Sequence, residues 1–196
     1  MKYNIIYADP PWEYKESGGG HRGTAGLPYK TMTPDEIKNL PVKNLCAEKC
    51  ILFLWATFPK LELALEVIKA WGFKYYGLGF NWVKISKNNK PCWGLGYYTR
   101  QNSEICLIGV PKDRTRRLKP INRGVLSVVH SLRRLHSQKP DEIRDYIVQS
   151  VGDLPRIELF ARTKAEGWDV WGDEVVCDIS MWRTVNNGKI YGKRII

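Results

Sequence analysis

The stretch Asn4-Ile5-Ile6-Tyr7-Ala8-Asp9-Pro10-Pro11-Trp12 decides the architecture of this chain. Its opening residues are apolar or β-prone with no polar alternation, the pattern of a strand buried on both faces. Pro10 and Pro11 carry no backbone N–H, so neither strand pairing nor a helix continues through them. Asp9 therefore sits in a rigid loop at the carboxyl end of a buried strand, with the indole of Trp12 close behind. In parallel α/β sheets, ligands gather at such ends.

The same pattern repeats downstream. Residues 50–55 form a second apolar strand, and Leu61, Leu65, Ile68 and Trp71 keep helical spacing up to Gly72. Thr33-Pro34-Asp35-Glu36 has the form of a capping box with proline at the first helical position. Further strands are expected at 80–85, 105–110, 157–160 and 169–171, and a helix at 140–151 with Ile143, Ile147 and Val151 inward. A short apolar run occupies 124–129, and Asn187-Gly188 is placed to turn a small hairpin. Strands alternating with helices predict an α/β fold, a mainly parallel sheet with helices on both faces. No repeat, long linker or low-complexity tract divides residues 1–196, so a single domain is expected. Residues 16–28 and 86–102 read as its long polar loops.

With 196 residues, 43% hydrophobic and 26% charged, the chain is an ordinary globular domain, not a disordered segment or coiled coil. No apolar run approaches the ~18 residues of a membrane span. The first strand begins too near Met1 to leave room for a signal peptide, so a cytoplasmic location is expected. Cys46, Cys50, Cys92, Cys106 and Cys177 lie mostly in apolar runs, as free buried thiols of a reducing compartment do. Neither they nor the three scattered histidines suggest a metal site. Lysine and arginine number 31 against 20 acids, a net charge of +11. Between Lys112 and Lys139, nine basic residues face one acid, Asp113. That excess fits a nucleic-acid partner or simply a solvated basic surface, and composition leaves both open.

The chemistry concentrates in Asp9-Pro10-Pro11-Trp12. The prolines remove donors and leave carbonyl acceptors beside one carboxylate. Asp9 and the Pro10 carbonyl can accept the two N–H bonds of an exocyclic amine, while Trp12 stacks on its ring. A capped strand-to-loop turn is the plain alternative. Gly18-Gly19-Gly20-His21-Arg22-Gly23 formally fits a dinucleotide loop, but it lies far from its strand and no apolar helix opens at its end. It reads better as a glycine-rich lid or substrate loop. Trp93-Gly94-Leu95-Gly96-Tyr97-Tyr98, followed by Arg100, is either a stacking surface or a set of aromatics packed under a loop.

Asp9-Pro10-Pro11-Trp12 resembles the signature of the amino-group methyltransferases, and the rest of the chain is similar to the MT-A70 adenine methyltransferases. The further matches are Leu27-Pro28-Tyr29-Lys30-Thr31-Met32, Leu52-Phe53-Leu54-Trp55, Asn81-Trp82-Val83-Lys84, Glu104-Ile105-Cys106-Leu107-Ile108-Gly109, Lys139-Pro140-Asp141-Glu142 and Ile157-Glu158-Leu159-Phe160-Ala161-Arg162, all in the family's order. The resemblance implies a Rossmann-like methyltransferase fold in which the catalytic motif precedes the cofactor motif, with S-adenosylmethionine as cofactor. It implies that Asp9 and Pro10, on a loop shaped by Pro11, hold the target amine, and that Trp12 lines the base pocket. Tyr29 matches an aromatic near the entrance and Glu104 a polar position beside the base. Asp9 and Lys139 would meet the cofactor, Lys139 at its carboxylate, with Phe160 and Arg162 around it and Asp173 and Glu174 on its ribose hydroxyls. Eukaryotic members hold the cofactor adenine with an acidic residue ahead of the catalytic motif. Here Val176-Cys177-Asp178-Ile179 would supply that piece, making Asp178 a candidate for the adenine contact.

The expected reaction is methyl transfer to the 6-amino group of adenine in nucleic acid, DNA before RNA. Cytosine 4-amino methylation, RNA adenine methylation and a non-catalytic nucleic-acid-binding partner are the alternatives. A duplex substrate must flip its base out of the stack. The basic residues of 112–134 and Arg100 would then hold the substrate while the loops 16–28 and 86–102 approach the base. Sequence specificity would come from these loops, from a second copy in a homodimer or from a partner subunit.

Overall fold

β1 (Tyr3–Ala8) is an inner strand of a seven-stranded sheet ordered β5-β3-β4-β2-β1-β6-β7. The other strands are β2 (Cys46–Ala56), β3 (Phe73–Ile85), β4 (Ser103–Pro111), β5 (Val128–Leu132), β6 (Arg156–Leu159) and β7 (Asp169–Trp171). The computed structural model describes residues 1–13, 31–94, 96, 98–134, 138–181, 183–184 and 190–191. β1 pairs in parallel with β2 and β6, β6 with β7, and β3 with β5. β4 alone runs antiparallel, to both β2 and β3, so the sheet is mainly parallel as the alternation predicts. Two short strands, β8 (Arg183–Thr184) and β9 (Ile190–Tyr191), pair antiparallel on either side of Asn187-Gly188.

Both faces are covered, which is why β1 and β2 are continuous apolar runs. Ile6, Ala8, Leu52 and Leu54 face α1 (Pro34–Lys38) and α2 (Leu61–Ala70), packing on Ile37, Ala64, Val67 and Ile68. Ile5, Tyr7, Ile51 and Phe53 face the other way, on Ile143, Ile147 and Val151 of α3 (Glu142–Val151). The capping box holds: Thr33 Oγ1 accepts from Glu36 N–H at 3.3 Å and Glu36 Oε2 accepts from Thr33 N–H at 2.8 Å. α2 stops at Gly72, whose φ of +88° needs a residue without a Cβ. Buried indoles are satisfied: Trp71 donates to the Ile37 carbonyl at 2.8 Å and Trp82 to that of Ser131 at 3.1 Å.

From β1 the chain builds one half of the sheet through β2, β4, β3 and β5. It then returns through α3 to add β6 and β7 on the other side. The reversal point lies between β1 and β6, where a parallel sheet opens a crevice at its carboxyl edge. Asp9 and Phe160 are the first residues past those two strands.

Candidate active site

The backbone at the crevice is tightly tied. Asp9 N–H donates to the Leu159 carbonyl at 3.4 Å, fastening the β1 exit to β6. Past the prolines, Trp12 N–H turns back onto the Pro10 carbonyl at 2.9 Å, and Met32 N–H donates to the Pro11 carbonyl at 3.0 Å. Trp12 is buried, its Nε1–H donating to the Trp55 carbonyl at 3.2 Å. The Pro10 carbonyl is thus already an acceptor for one N–H, and its second lone pair is what it offers a ligand.

Charge is organised in a partly buried row of alternating sign. Lys139, on the segment leading into α3, places Nζ 2.7 Å from Asp9 Oδ2 and 3.2 Å from Glu104 Oε2. The same ammonium lies 5.5 Å from the centroid of the Trp55 ring. Lys84 of β3 pairs with Glu104 from the opposite side. Burial pushes the Asp9 carboxyl up; Lys139 and Arg162 pull it back, while the charge of Glu104 pushes it further up. For Glu104 burial acts in the same upward sense, but Lys139 and Lys84 together outweigh it and hold the group below the usual range. Burial opposes the charge on Lys139, yet its two carboxylates keep it well above the ordinary lysine range. Glu104 is the fixed anion of the row, and Asp9 is the carboxylate poised to take up a proton.

The other half is built at the exits of β6 and β7. Phe160 has φ +62°, the left-handed region, where a bulky side chain costs about 1–3 kcal/mol. This tight turn sets its ring edge-on to Trp171, centroids 5.4 Å apart at 72°, and lets Ala161 N–H reach the Trp171 carbonyl at 3.0 Å. Gly172 is required beside it, because a Cβ there would lie 2.2 Å from the Ala161 carbonyl oxygen and 2.7 Å from its nitrogen. Asp173 and Glu174 follow, with Glu174 Oε1 2.8 Å from Arg162 Nε.

These pieces enclose one cavity of about 120 Å³. Asp9, Pro10, Pro11, Trp12 and Glu104 line it from the sheet side, Lys139 from the base of α3, and Phe160, Arg162, Asp173 and Glu174 from the β6–β7 side. Met32, Thr57, Ala161, Trp171 and Gly172, none of them named as a site residue from the sequence, complete the wall. Thr57 and Gly172 sit just past the carboxyl ends of β2 and β7, and the strand-end reading of the sequence reaches the residues after Trp55 and after Phe160 without naming either one. Lys84 and Trp55 act from behind the lining, and no spacing in the chain announced them.

Other candidates lie elsewhere. Asp178, the candidate adenine contact, is not in the lining: its carboxylate accepts the Val170 N–H at 2.9 Å and pairs with Lys164 at 2.5 Å, closing the edge of β7. Arg100 is exposed and also outside the lining, on the loop joining β3 to β4 at the pocket's end of the sheet. On that loop Trp93 and Tyr98 are exposed, not packed beneath it. Glu158 is buried behind the pocket and held by Arg144 at 2.7 and 3.1 Å. Tyr29 and loop 16–28, with its glycine run, lie outside the described residues. The basic segment is divided. Arg133 and Arg134 follow β5 at the pocket's end, whereas Arg117 bridges Cys50, about 20 Å back along β2 from Ala56. Of the thiols, all free, only Cys50 and Cys106 are buried; Cys46, Cys92 and Cys177 are partly exposed. No described helix is long and apolar enough to cross a membrane.

Comparison with known proteins agrees with this geometry. The MT-A70 family profile matches residues 3–174. The type II methyltransferase M.MunI of Mycoplasma sp is 33% identical over 198 residues, covering 89% of this chain and 78% of the relative. The N(6)-adenine-specific methyltransferase METTL4 of Mus musculus is 29% identical over 188 residues, covering 89% of this chain but 38% of its own. The N(6)-adenosine-methyltransferase subunit METTL3 of Danio rerio is 31% identical over 164 residues, covering 82% of this chain and 26% of its own. With the family profile matched from residue 3 to 174, and a relative 33% identical that is covered over 78% of its length, the chain belongs to the MT-A70 family.

Proposed function

We infer that this chain transfers a methyl group from S-adenosylmethionine to the 6-amino group of adenine in nucleic acid, DNA before RNA. The observation that carries it is the pairing, in one cavity, of the Asp9 carboxylate and Pro10 carbonyl with the buried plane of Trp12. Two acceptors and a flat wall suit an aromatic amine.

The donor set fits the proposed cofactor. Lys139 beside Asp9 offers a cation and an anion to a zwitterionic amino-acid end. Asp173 and Glu174 stand past a strand adjoining β6, where doubly wound sheets bind vicinal ribose hydroxyls. Phe160 and Trp171 provide an aromatic wall between them. When bound, S-adenosylmethionine supplies an electrophilic sulfonium methyl.

The protein's own part is positioning and charge. The adenine amine lone pair is delocalised into the ring. Accepting both N–H bonds, at Asp9 and at the remaining lone pair of Pro10, favours a pyramidal nitrogen whose lone pair is withdrawn from the ring and aimed at the methyl. An aspartate does not deprotonate an aromatic amine beforehand. Once the nitrogen has become cationic, Asp9 accepts its proton, and burial helps by raising the affinity of this carboxyl for it. Lys139 balances the site before and after that transfer, and Glu104, kept ionised by two lysines, keeps Lys139 charged. DNA is placed before RNA because the chain is compact and matches M.MunI across most of both lengths. The setting is the cytoplasm, with a second copy or partner subunit completing sequence recognition.

The test is incubation with labelled S-adenosylmethionine and matched DNA and RNA oligomers, followed by nucleoside mass analysis. Label in N6-methyladenine, greater from DNA, is expected. Label in 4-methylcytosine, or binding of the methyl donor without transfer to any oligomer, would overturn the assignment, and greater label from RNA would overturn the DNA preference.

A further inference from the structure

A second concavity lies at the opposite end of the sheet, on the α3 face. α3 covers the β1–β2 part of that face, and the amino half of β3 and the carboxyl half of β4 extend beyond it. The result is a groove of about 480 Å³. Its floor is apolar, including Leu78, Ile108 and Leu118, with Tyr76 67% exposed at one side. Its rim carries Arg114, Arg117, Lys119 and Arg123, and no carboxylate lines it. The Arg117 guanidinium lies 5.9 Å from the Tyr76 ring centroid, a cation on an aromatic face. An adjoining hollow shares Arg114, Arg117 and Lys119 and adds Lys49. Among the described residues none of these five cations makes a carboxylate ion pair.

A cationic rim over an apolar, partly aromatic floor suits an unpaired nucleic-acid strand, whose phosphates meet the rim while its bases lie on the floor. A second copy of a chain with net charge +11 would bring like charge to the same rim. The position is also informative. Ile121 N–H donates to the Ser150 carbonyl at the carboxyl end of α3, whereas Lys139 and the catalytic pocket adjoin its amino end. Between them runs β5, an edge strand with Val128, His130 and Leu132 turned outward and Arg133 and Arg134 at its pocket end. Five strand residues and their flanks span about 20 Å, or roughly six stacked nucleotides at ~3.4 Å each.

We propose that this groove is a distal binding site for the single-stranded flank of the nucleic-acid substrate, reached along β5 about six nucleotides from the target adenine. It rests on the nucleic-acid reading above and extends it: the distal cations grip flanking strand and take no part at the target base.

The experiment compares a target in an oligomer of about 6 nucleotides with the same target centred in about 30, single-stranded or with duplex flanks. Each is assayed for methyl transfer and, by fluorescence anisotropy, for direct binding. Wild type is expected to use the long single strand with at least a tenfold lower KM than the short one, and the duplex-flanked oligomer is expected to lose most of that gain. The Arg114→Ala/Lys119→Ala/Arg123→Ala variant, checked for its fold by thermal melting, is expected to abolish the length advantage. Its log–log salt slope should fall by about 2, at ~0.7 per lost phosphate contact on single strands. Tyr76→Ala, which alters no charge, is expected to weaken long-strand binding without changing the slope. An equal KM for both lengths in wild type, or a length advantage that survives the triple variant, overturns the proposal. So does a concentration-dependent dimer that the triple variant dissolves. If no oligomer is methylated yet length-dependent binding vanishes in the variant, the reaction assignment fails and the groove stands.

Discussion

Glu104→Gln removes one charge from the row Asp9–Lys139–Glu104–Lys84 while keeping its shape. In the folded protein Glu104 is 8% exposed, 3.2 Å from Lys139 and paired with Lys84. Breaking a buried pair from one side costs about 3–5 kcal/mol. Here Lys139 keeps Asp9 at 2.7 Å and the Lys84 side chain is 25% exposed, so part of that loss is relieved and about 2–3 kcal/mol remains. For a domain of this size that lowers Tm by about 4–12 °C at neutral pH. The sign of the pH dependence follows. Glu104 is held below its usual range, so its ion pairs stabilise the fold above ~4.3 and are lost as pH falls through the lowered value. The Tm gap between wild type and variant should therefore close in acid. The same substitution removes a charge that raises the Asp9 carboxyl, so the acid limb of kcat/KM should move to lower pH. Thermal melts across pH and a pH–rate profile read both effects. An unchanged neutral Tm together with an unmoved acid limb would refute the coupling.

Wild-type kcat/KM should fall on the acid side above ~3.9, the ordinary aspartate value, because burial raises Asp9 and its ionised form is required. No alkaline loss should appear up to ~10, because Lys139 stays charged; a pH–rate profile shows either limb. Gly172→Ala drives a Cβ into the Ala161 carbonyl, and should lower Tm by about 2–12 °C and weaken donor binding in calorimetry at least about tenfold. Arg144→Met leaves Glu158 buried without its bidentate partner and should cost about 3 kcal/mol in denaturant melts at neutral pH. That loss should shrink as pH falls from neutral, already well above ~4.3, because burial raises the Glu158 carboxyl and protonation removes the unpaired charge.

Strands with continuous apolar runs were legible because burial on two faces leaves no other pattern, as in β1, β2 and β4. β3 is different. Its amino half carries exposed Tyr75 and Tyr76, then exposed Leu78 between Gly77 and Gly79, which is why the run from 80 marks only its covered end. β5 lies at 128–132, not along the apolar run 124–129, because an edge strand alternates buried Val129 and Ser131 with outward neighbours. At the site, Asp9 and Lys139, 130 positions apart in the chain, lie within ion-pair distance, a contact the sequence did not name. Asp178 was drawn from the pocket by a backbone N–H that β7 leaves unpaired at its edge, a demand invisible in the sequence. Lys84 stood inside a matched motif, but its pairing with Glu104 exists only once β3 lies beside β4.

In the proposed reaction Asp9 holds the amine and accepts its proton. Single-turnover methyl transfer by Asp9→Asn, with DNA and methyl donor both saturating, tests it most directly. A rate about 10²–10⁴-fold below wild type, with DNA binding retained, is expected for the loss of a hydrogen-bonding proton acceptor. A rate equal to wild type would remove Asp9 from the reaction.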